Sequence, residues 1–332
     1  MAILEIENLD VRIPVGAGVL HAVRNISLQV EAGQTLCIVG ESGCGKSMSL
    51  LAIMGLLPRT AQRQASALRF QGTELSCLNA RQMEDIRGRG IGMIFQDPLT
   101  AFNPTMSIGS QLEEVHMRHM GAGRTVAREK AISLLRQVGI TSPESRLAQY
   151  PHELSGGLRQ RVMIAMALMC DPVLLLADEP TTALDVTIQA QVLRLLKGLQ
   201  QKLSIAIVFV THDLGVVAAV ADRIAVMYAG EVVETGSVRD VFRAPQHPYT
   251  QALFGCVPDI ANVTAGRLGT IPGRVPSLVT PIQGCAFRER CAKAMEACAM
   301  AAVSLKPHAD GVFSRCLLSA EGINTDEELT HA

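Results

Sequence analysis

The chain has 332 residues, enough to bury a full core in one large domain with an extension or in two domains, which excludes a small disulfide-stapled scaffold. Its 30 Lys and Arg residues balance 31 Asp and Glu residues and leave a formal charge of -1, so the composition shows neither a nucleic-acid footprint nor a polybasic membrane patch. Aromatic residues make up only 3% and Trp is absent, so the core must consist of aliphatic side chains and Met, as in a parallel sheet covered by helices.

The N-terminus and the apolar runs bear on where the protein acts. Residues 1–7 alternate apolar and acidic side chains, which is unlike a secretory signal. The longest apolar runs, at 48–57 and 162–170, have about half the length that a membrane-spanning helix needs. Nine cysteines without a signal favour a reducing compartment, where thiols and metal ligation are preferred over disulfides. We therefore expect a protein that is soluble or held at a membrane by partners.

In chain order, the residue pattern predicts an α/β fold. Short alternating strands at 3–7 and 26–30 form an antiparallel lead-in. Buried strands of a parallel sheet are predicted at 36–39, 91–95, 173–177 and 205–210. Helices are predicted at 47–56, 111–120, 125–138, 161–169 and 186–202, the first of them ended by Pro58. A hairpin at 223–234 closes the sheet, and frequent Pro, Gly and Cys after residue 245 indicate a separate C-terminal segment.

Residues 40–47 fit the pattern G-x-x-x-x-G-K-[ST] and directly follow the first buried strand. The glycines let the backbone curl so that several N–H groups face one concavity, and the next helix aims the positive end of its dipole there. Lys46 is expected to reach the β- and γ-phosphates of a nucleotide, and the Ser47 hydroxyl to hold Mg²⁺. The alternative is a glycine-rich turn that matches by chance. The predicted phosphate-binding residues are Gly40, Glu41, Ser42, Gly43, Cys44, Gly45, Lys46 and Ser47.

Polar side chains follow three other predicted strands of the sheet. Asp178 and Glu179 come after the strand at 173–177, at the sheet edge where ligands bind. Asp178 is suited to hold Mg²⁺, and Glu179 to orient or deprotonate an attacking water. Gln96 could contact Mg²⁺ or water, and His212 a γ-phosphate. The alternative for each of these residues is that it only opens a turn.

Ser155, Gly156 and Gly157 precede the predicted helix at 161–169 and suggest a second anion site at a helix N-terminus. One nucleotide does not need two such sites over a hundred residues apart. The second site is therefore expected to bind the γ-phosphate held by a neighbouring subunit. The alternative is a plain N-cap that only begins the helix.

The order of these motifs resembles that of the nucleotide-binding subunits of ATP-binding cassette transporters over nearly the whole chain. The Walker A, Q-loop, signature, Walker B, D-loop and H-loop motifs of that family resemble residues 40–47, Gln96, residues 154–157, Asp178 with Glu179, residues 183–185 and His212. More narrowly, residues 95–98, 178–187 and 247–250 and the Cys-rich tail resemble the dipeptide and oligopeptide permease ATPases.

The resemblance implies a P-loop NTPase core of the RecA-like type in a cassette at 1–255, with a helical subdomain at about 97–170 and a Cys-rich extension at 256–332. It implies an ATPase that uses ATP and Mg²⁺ to power a bacterial binding-protein-dependent importer of peptides or related solutes. The implied partners are a second ATPase subunit, which is a paralogue or a second copy, two transmembrane permease subunits and, through them, an extracytoplasmic solute-binding protein. Nucleic acid is not among them.

In the family arrangement, two cassettes pair head to tail. Ser155, Gly156, Gly157 and Asp185 of one cassette then act on the ATP bound by the other, and the chain lies peripherally at the cytoplasmic face of the inner membrane. The chain departs from the family at Leu158 in the signature, and at Ile13, which stands about where an aromatic residue usually stacks on adenine. The rival hypothesis is a soluble cassette ATPase that acts on nucleic acid or ribosomes. Such proteins usually carry two cassettes or a long coiled coil.

Cys285, Cys291, Cys298 and Cys316 form a dense set in the C-terminal segment. Disulfides would be unstable in a reducing compartment, and a zinc site usually shows a C-x₂₋₄-C knuckle, which this spacing lacks. The wider spacing favours a [4Fe–4S] cluster, which four thiolates can hold. Some peptide-permease ATPases resemble this chain in carrying such a set, where it is associated with a cluster. Zinc and free thiols remain the alternatives.

Overall fold

The computed structural model describes residues 2–182, 184–256, 269–300, 302–308 and 311–319. In chain order the strands are β1 (Ala2–Val15), β2 (Gly18–Glu31), β3 (Thr35–Val39), β4 (Gln62–Gln64), β5 (Ala67–Phe70), β6 (Thr73–Glu74), β7 (Ile91–Ile94), β8 (Leu174–Asp178), β9 (Ala206–Thr211), β10 (Arg223–Tyr228), β11 (Glu231–Ser237), β12 (Lys306–Pro307) and β13 (Phe313–Ser314). The helices are α1 (Lys46–Met54), α2 (Ala80–Ile86), α3 (Pro98–Ala101), α4 (Ile108–Met120), α5 (Arg124–Gln137), α6 (Pro143–Arg146), α7 (Gly156–Ala167), α8 (Val186–Leu203), α9 (Leu214–Val220), α10 (Val238–Arg243), α11 (Pro248–Gly255) and α12 (Ala297–Met300).

The main sheet has the strand order β12-β13-β11-β10-β3-β9-β8-β7. Its strands β10, β3, β9, β8 and β7 pair in parallel, so their carboxyl ends meet at one edge. The predicted central strands are therefore present. Strand β8 includes Asp178, one residue beyond the predicted end. This edge carries the residues that follow β3, β7, β8 and β9, which include every strand-end residue singled out in the sequence.

The lead-in is an antiparallel sheet with the order β2-β1-β5-β6, and β4 also pairs with β1. The two short predicted strands are in fact parts of one long hairpin, β1 and β2, with 14 residues in each arm. Register shifts interrupt the pairing of β1 with β2 at four places. Each such irregularity moves side chains to the other face, so the strict alternation expected of a strand is lost in the sequence although the hairpin continues.

Two apolar clusters cover the two faces of the main sheet. In β8, Leu175 and Ala177 belong to the first cluster, which is shared with helices of the 98–220 region. Leu174 and Leu176 belong to the second cluster, which is shared with the lead-in sheet. Because side chains alternate along a strand, a strand buried on both faces reads as a continuous apolar run.

Helix α1 begins at Lys46, and its C-cap residue Gly55 has a φ of 62° in the left-handed region. The helix thus ends two residues before the predicted end at 56, and Gly55 rather than Pro58 ends it, because glycine readily adopts this conformation. Helix α7 likewise begins at Gly156 and not at Arg161. Ser155 is therefore the N-cap residue itself, with its Oγ accepting from Leu158 N at 3.4 Å.

Helices α3 to α7 lie between β7 and β8 in the chain, as the predicted helical insertion requires. Glu113 on α4 is only 3% exposed and accepts hydrogen bonds from Arg124 and Arg128 of α5, at 2.8 and 3.1 Å. A buried carboxylate needs such partners, so this pair of contacts fixes α5 against α4. Within the described ranges, every helix is too short or too polar to span the hydrocarbon core of a bilayer.

The C-terminal segment packs against the rest of the chain. Strand β13 extends the main sheet by pairing with β11. Phe287 is 2% exposed, and its ring centroid lies 5.2 Å from that of Tyr228 and 5.4 Å from that of Tyr249. Aromatic contacts of this kind stabilise beyond their buried area. The described part of the extension is thereby held close to the carboxyl edge of β10.

Candidate nucleotide-binding site

The loop between β3 and α1 approaches neighbouring backbone too closely for side chains. A Cβ on Gly40 would lie 2.1 Å from the carbonyl oxygen of Met227, and one on Gly45 would lie 2.3 Å from that of Ala22. Gly45 also has a φ of 103°, which other residues rarely adopt. The glycines at these two places are thus required by the packing of the loop against β2 and β10.

Lys46 is buried, and its Nζ donates to the carbonyl oxygens of Gly40 and Glu41 at 2.8 and 3.0 Å. The same Nζ lies 3.9 Å from Oε1 of Glu179. Its third contact in the loop is a long one, to Cys44 Sγ at 3.9 Å, so the third donor of the ammonium group could turn to an anion at little cost. The backbone of the loop between β3 and α1 therefore holds the ammonium group in place.

Ser47 and Asp178 meet across the loop, with Ser47 Oγ donating to Asp178 Oδ1 at 2.8 Å. Burial raises the pKa of the Asp178 carboxyl, the nearby charge of Glu179 raises it further, and the bond from Ser47 and the Lys46 charge lower it. Hydroxyl and carboxylate oxygens are the ligands that Mg²⁺ prefers, and it completes its shell with water and phosphate. The donor chemistry of this pair therefore fits Mg²⁺.

Glu179 stands at the centre of the polar groups on this edge. Its Oε2 accepts from Gln96 Nε2 at 3.3 Å and Thr182 Oγ1 at 2.8 Å, and lies 3.3 Å from His212 Nδ1. Its backbone has a φ of 43°, in the left-handed region that residues other than glycine rarely adopt. Its backbone N–H donates to Val210 O at 3.0 Å, which holds this turn against β9. A carboxylate with these neighbours could accept a proton from a water between it and a phosphate.

A cavity of about 590 Å³ opens over the loop. Its polar walls come from the loop and from the three strand-end residues Gln96, Glu179 and His212. The residues that line it are Leu20, Ala22, Ser42, Gly43, Gly45, Lys46, Ser47, Met48, Gln96, Glu179, Thr182, His212 and Leu278. The sequence assigned no site role to Leu20, Ala22, Met48 or Leu278, because apolar residues carry no motif, nor to Thr182, which was noted only as part of the stretch 178–187.

The signature residues lie outside this cavity. Gly156 borders a smaller groove with Gln96, Leu99, Arg159 and Pro180, so Gln96 contributes to both spaces. Gly157 lies against Ile188 of α8, where an added Cβ would sit 3.1 Å from Ile188 Cγ2. Leu158, the departure from the family pattern, packs against the first apolar cluster.

Asp185 caps a helix in the structure. Its Oδ1 accepts from Ile188 N at 2.9 Å at the start of α8, and its neighbour Val186 is one of the most exposed apolar residues of the described chain. The cap leaves the second carboxylate oxygen able to accept another bond. Residue 183, the first of the predicted D-loop, lies outside the described residues.

Two contacts that no motif suggested tie the phosphate loop to the C-terminal segment. Glu41 N donates to the hydroxyl of buried Tyr249 at 3.0 Å. Arg290 Nη1 donates to both carboxylate oxygens of Glu41, each at 3.0 Å, and the Arg290 side chain is only 5% exposed. Partners more than 200 residues apart in the chain leave no periodic signal.

The four C-terminal cysteines are neighbours. The pKa of the Cys285 thiol is raised to about 11, first by burial and then by the three other thiols of the set. Burial and the neighbouring thiols also raise the pKa of Cys291. Among the residues that the structure describes, however, no three His, Cys, Asp or Glu side chains converge closely enough to hold a metal ion. These positions do not support the predicted cluster or the zinc alternative.

A phosphate loop between β3 and α1, at the carboxyl edge of a parallel sheet, defines a P-loop nucleotide-binding protein. Comparison with known proteins narrows this class. Residues 23–182 match the ABC transporter family, and residues 233–298 match the family described as the C-terminal region of oligopeptide/dipeptide transporters.

Curated relatives align over most of the chain. The dipeptide transport ATP-binding protein of Bacillus subtilis (strain 168) is 49% identical over 297 residues, which cover 89% of this chain and 88% of the relative. That of Escherichia coli (strain K12) is 48% identical over 316 residues, covering 95% and 96%. A solved dimeric ATP-binding cassette in a post-hydrolysis state with ADP and Pi has a TM-score of 0.63 and 28% identity, covering 71% of this chain and 99% of that one. The chain belongs to the ATP-binding cassette ATPases of the ABC transporter family.

Proposed function

We propose that this chain is the ATP-hydrolysing subunit of a bacterial binding-protein-dependent importer for dipeptides, oligopeptides or related solutes. The observation that carries the proposal is the match of residues 233–298 to the C-terminal region of oligopeptide/dipeptide transporters, because the cassette alone would not distinguish among solutes. Relatives nearly half identical over almost the whole chain are named for peptide transport. Nothing in these comparisons supports the rival hypothesis of an ATPase that acts on nucleic acid or ribosomes.

The site residues take the following roles in this proposal. Lys46 neutralises charge on the β- and γ-phosphates, which the loop backbone cradles. Ser47 and Asp178 hold Mg²⁺, with Gln96 nearby. Glu179 acts as the general base, and its contact with His212 would let the imidazole report on the γ-phosphate. In this arrangement catalysis is mainly positioning and electrostatic stabilisation.

A second cassette completes each site in this proposal, and it is a paralogue or a second copy. Ser155, Gly156, Gly157 and Asp185 would act on the ATP of the partner. Their position outside the lining of the cavity in their own chain supports this. The solved relatives that pair as dimeric cassettes support it as well.

The chain is proposed to act as a cassette at 1–255 and an extension at 256–332. The helical subdomain at about 97–170 would contact two transmembrane permease subunits at the cytoplasmic face of the membrane, and a solute-binding protein would deliver the solute to them. Gln96 is proposed as the link, because it borders both the nucleotide cavity and the groove beside α3 and α7. The part of the extension at 257–268 and 320–332 lies outside the described residues.

Uptake of a labelled dipeptide tests this function. In cells that lack the gene, we expect uptake to return when the intact chain is supplied and to stay absent with Lys46→Ala, because phosphate binding is lost. A matched control is Lys306→Ala, a surface lysine of β12 far from the loop in sequence. Normal uptake with Lys46→Ala would refute ATP-driven transport by this chain. Uptake that never depends on the gene would refute the peptide class.

We further propose that Cys285, Cys291, Cys298 and Cys316 hold a [4Fe–4S] cluster once it is assembled. The density of cysteines in this stretch and the bond from Cys285 N to Cys298 O at 2.8 Å support the proposal, and the described side chains would have to converge further to ligate the cluster. A cluster is wider than one ion, and its ligation would supply folding free energy to a segment with few helices and strands of its own. When bound, it would supply cross-links between cysteines of the segment.

Iron and sulfide analysis after anaerobic purification tests the cluster. We expect about four of each per chain, and a large loss with Cys291→Ser. The control Cys77→Ser should retain both, because Cys77 is exposed and lies outside the set. Stoichiometric zinc without sulfide, or neither iron nor zinc, would contradict the proposal.

A further inference from the structure

The nucleotide cavity is lined by both polar and apolar groups. Lys46, Ser47 and Glu179 are among the polar ones, whereas Leu20, Ala22 and Leu278 form part of its apolar wall. A nucleotide whose phosphates occupy the loop must place its base away from the polar groups. The apolar residues are therefore candidates for contact with the base.

Leu20 and Ala22 belong to β2, and side chains two residues apart lie on the same face of a strand. Leu278 comes from the C-terminal segment and lies beside β2, because its carbonyl oxygen accepts from His21 N at 2.9 Å. Leu278 also lines an adjacent cavity of about 400 Å³, whose other residues include Val279 and Arg12. It therefore separates the nucleotide cavity from its neighbour.

The C-terminal segment is fixed relative to the phosphate loop. Arg290 bonds both carboxylate oxygens of Glu41, and its Nε donates to Pro272 O at 3.0 Å. Its Nη2 donates to Ile271 O at 3.1 Å, so all three nitrogens of the guanidinium are bonded and its orientation is fixed. The position of Leu278, six residues from Pro272, is thus tied to the loop that would bind the phosphates.

The cavity lining includes no counterpart of the aromatic residue that usually stacks on adenine in the family. Ile13 packs against the second apolar cluster. Among the described residues that line the cavity, there is neither Ile13 nor any Phe, Tyr or Trp. A base bound there needs another surface to exclude water from its face.

We propose that Leu278, together with Leu20, forms the surface against which the base of the bound nucleotide packs, so that the C-terminal segment completes the nucleotide site. This inference rests on the proposed ATPase function. Contact of this kind is non-directional and depends on the apolar area that is buried. It therefore adds affinity for any nucleotide with a base and none for the phosphates alone.

Binding of two ligands to the full chain separates base contact from phosphate contact. Isothermal titration with Mg-ATP and with magnesium tripolyphosphate, which has no base, is carried out on the parent and on Leu278→Ala. We expect the Kd for ATP to rise about five- to thirtyfold, as for loss of one half-buried Leu contact, and the Kd for tripolyphosphate to change less than about twofold. Leu278→Gln, of similar length, should behave like Leu278→Ala.

Val279→Ala is the matched control, because Val279 is the next residue, is similarly half-buried and lines only the adjacent cavity. It should leave both Kd values unchanged. Equal weakening of both ligands by Leu278→Ala would overturn the proposal, since Leu278 would then act through the loop. An unchanged Kd for ATP in both Leu278 variants would overturn it as well. Failure of the parent chain to bind ATP at all would instead refute the proposed function.

Discussion

Glu179→Gln is expected to reduce the turnover of ATP by at least about 10²-fold while ATP binding is retained. The amide keeps the size of the side chain and can still accept from Thr182, so the turn after β8 should persist. It cannot accept a proton from the attacking water. The negative charge removed lies 3.9 Å from Nζ of Lys46, at the site of the phosphates, so binding of ATP should be as tight as in the parent or tighter.

Single-turnover hydrolysis and titration with ATP, both with Mg²⁺ present, measure the two effects separately. The control is Glu144→Gln, which removes an exposed carboxylate on α6 that pairs only with Arg136 among the described residues. It should hydrolyse ATP like the parent. A Glu179→Gln chain with a near-parent rate would show that another group accepts the proton. Loss of ATP binding in this variant would show that Glu179 serves the structure of the loop instead.

The centre of the site was predictable because its determinants are local. Gly40 to Ser47 form a continuous motif. Asp178 ends strand β8 and Glu179 directly follows it, and the two buried faces of this strand make it a continuous apolar run. The parallel order of β3, β9 and β8 then brings these two stretches together. Strand ends on one edge of a parallel sheet are neighbours whatever their separation in the chain.

The residues around the edge of the site, such as Arg290 and Leu278, were not predictable from the sequence. Their contacts join positions far apart in the chain, and their side chains belong to no motif. Nothing in the local sequence of Arg290 indicates that it reaches Glu41, nor that Leu278 faces the loop. The lead-in hairpin was underestimated for a different reason, because its register shifts break the alternation by which strands are recognised. The departure at Ile13 could be read from the sequence, but not which residues would contact the base instead, because Ile13 packs against the second apolar cluster and Leu278 lies far away in the chain.

Mixing two inactive variants should restore part of the ATPase activity if this chain pairs with itself. Lys46→Ala removes the phosphate contact of its own site, and Ser155→Arg places a bulky cation in the signature that completes the partner's site. Each variant alone should be inactive. In a mixed dimer, the intact loop of the Ser155→Arg chain meets the intact signature of the Lys46→Ala chain. Random pairing of equal amounts gives up to about a quarter of the parent sites.

The measurement is ATP hydrolysis at protein concentrations high enough for pairing, with each variant, the mixture and the parent compared at equal total chain. Ser155 caps α7, so its loss is expected to lower the free energy of unfolding by about 1 kcal/mol, and thermal melts must show that the variant is folded.

The control mixture combines Lys46→Ala with a chain that carries both substitutions. It contains no intact loop and should stay inactive. If the parent and the test mixture are both inactive, this chain does not complete its own site, and a paralogous cassette becomes the required partner. If the parent hydrolyses ATP while the test mixture stays inactive, the sites are not shared between copies of this chain. Full activity of the parent as a strict monomer would instead exclude a shared site, because the signature would then have no phosphate to bind.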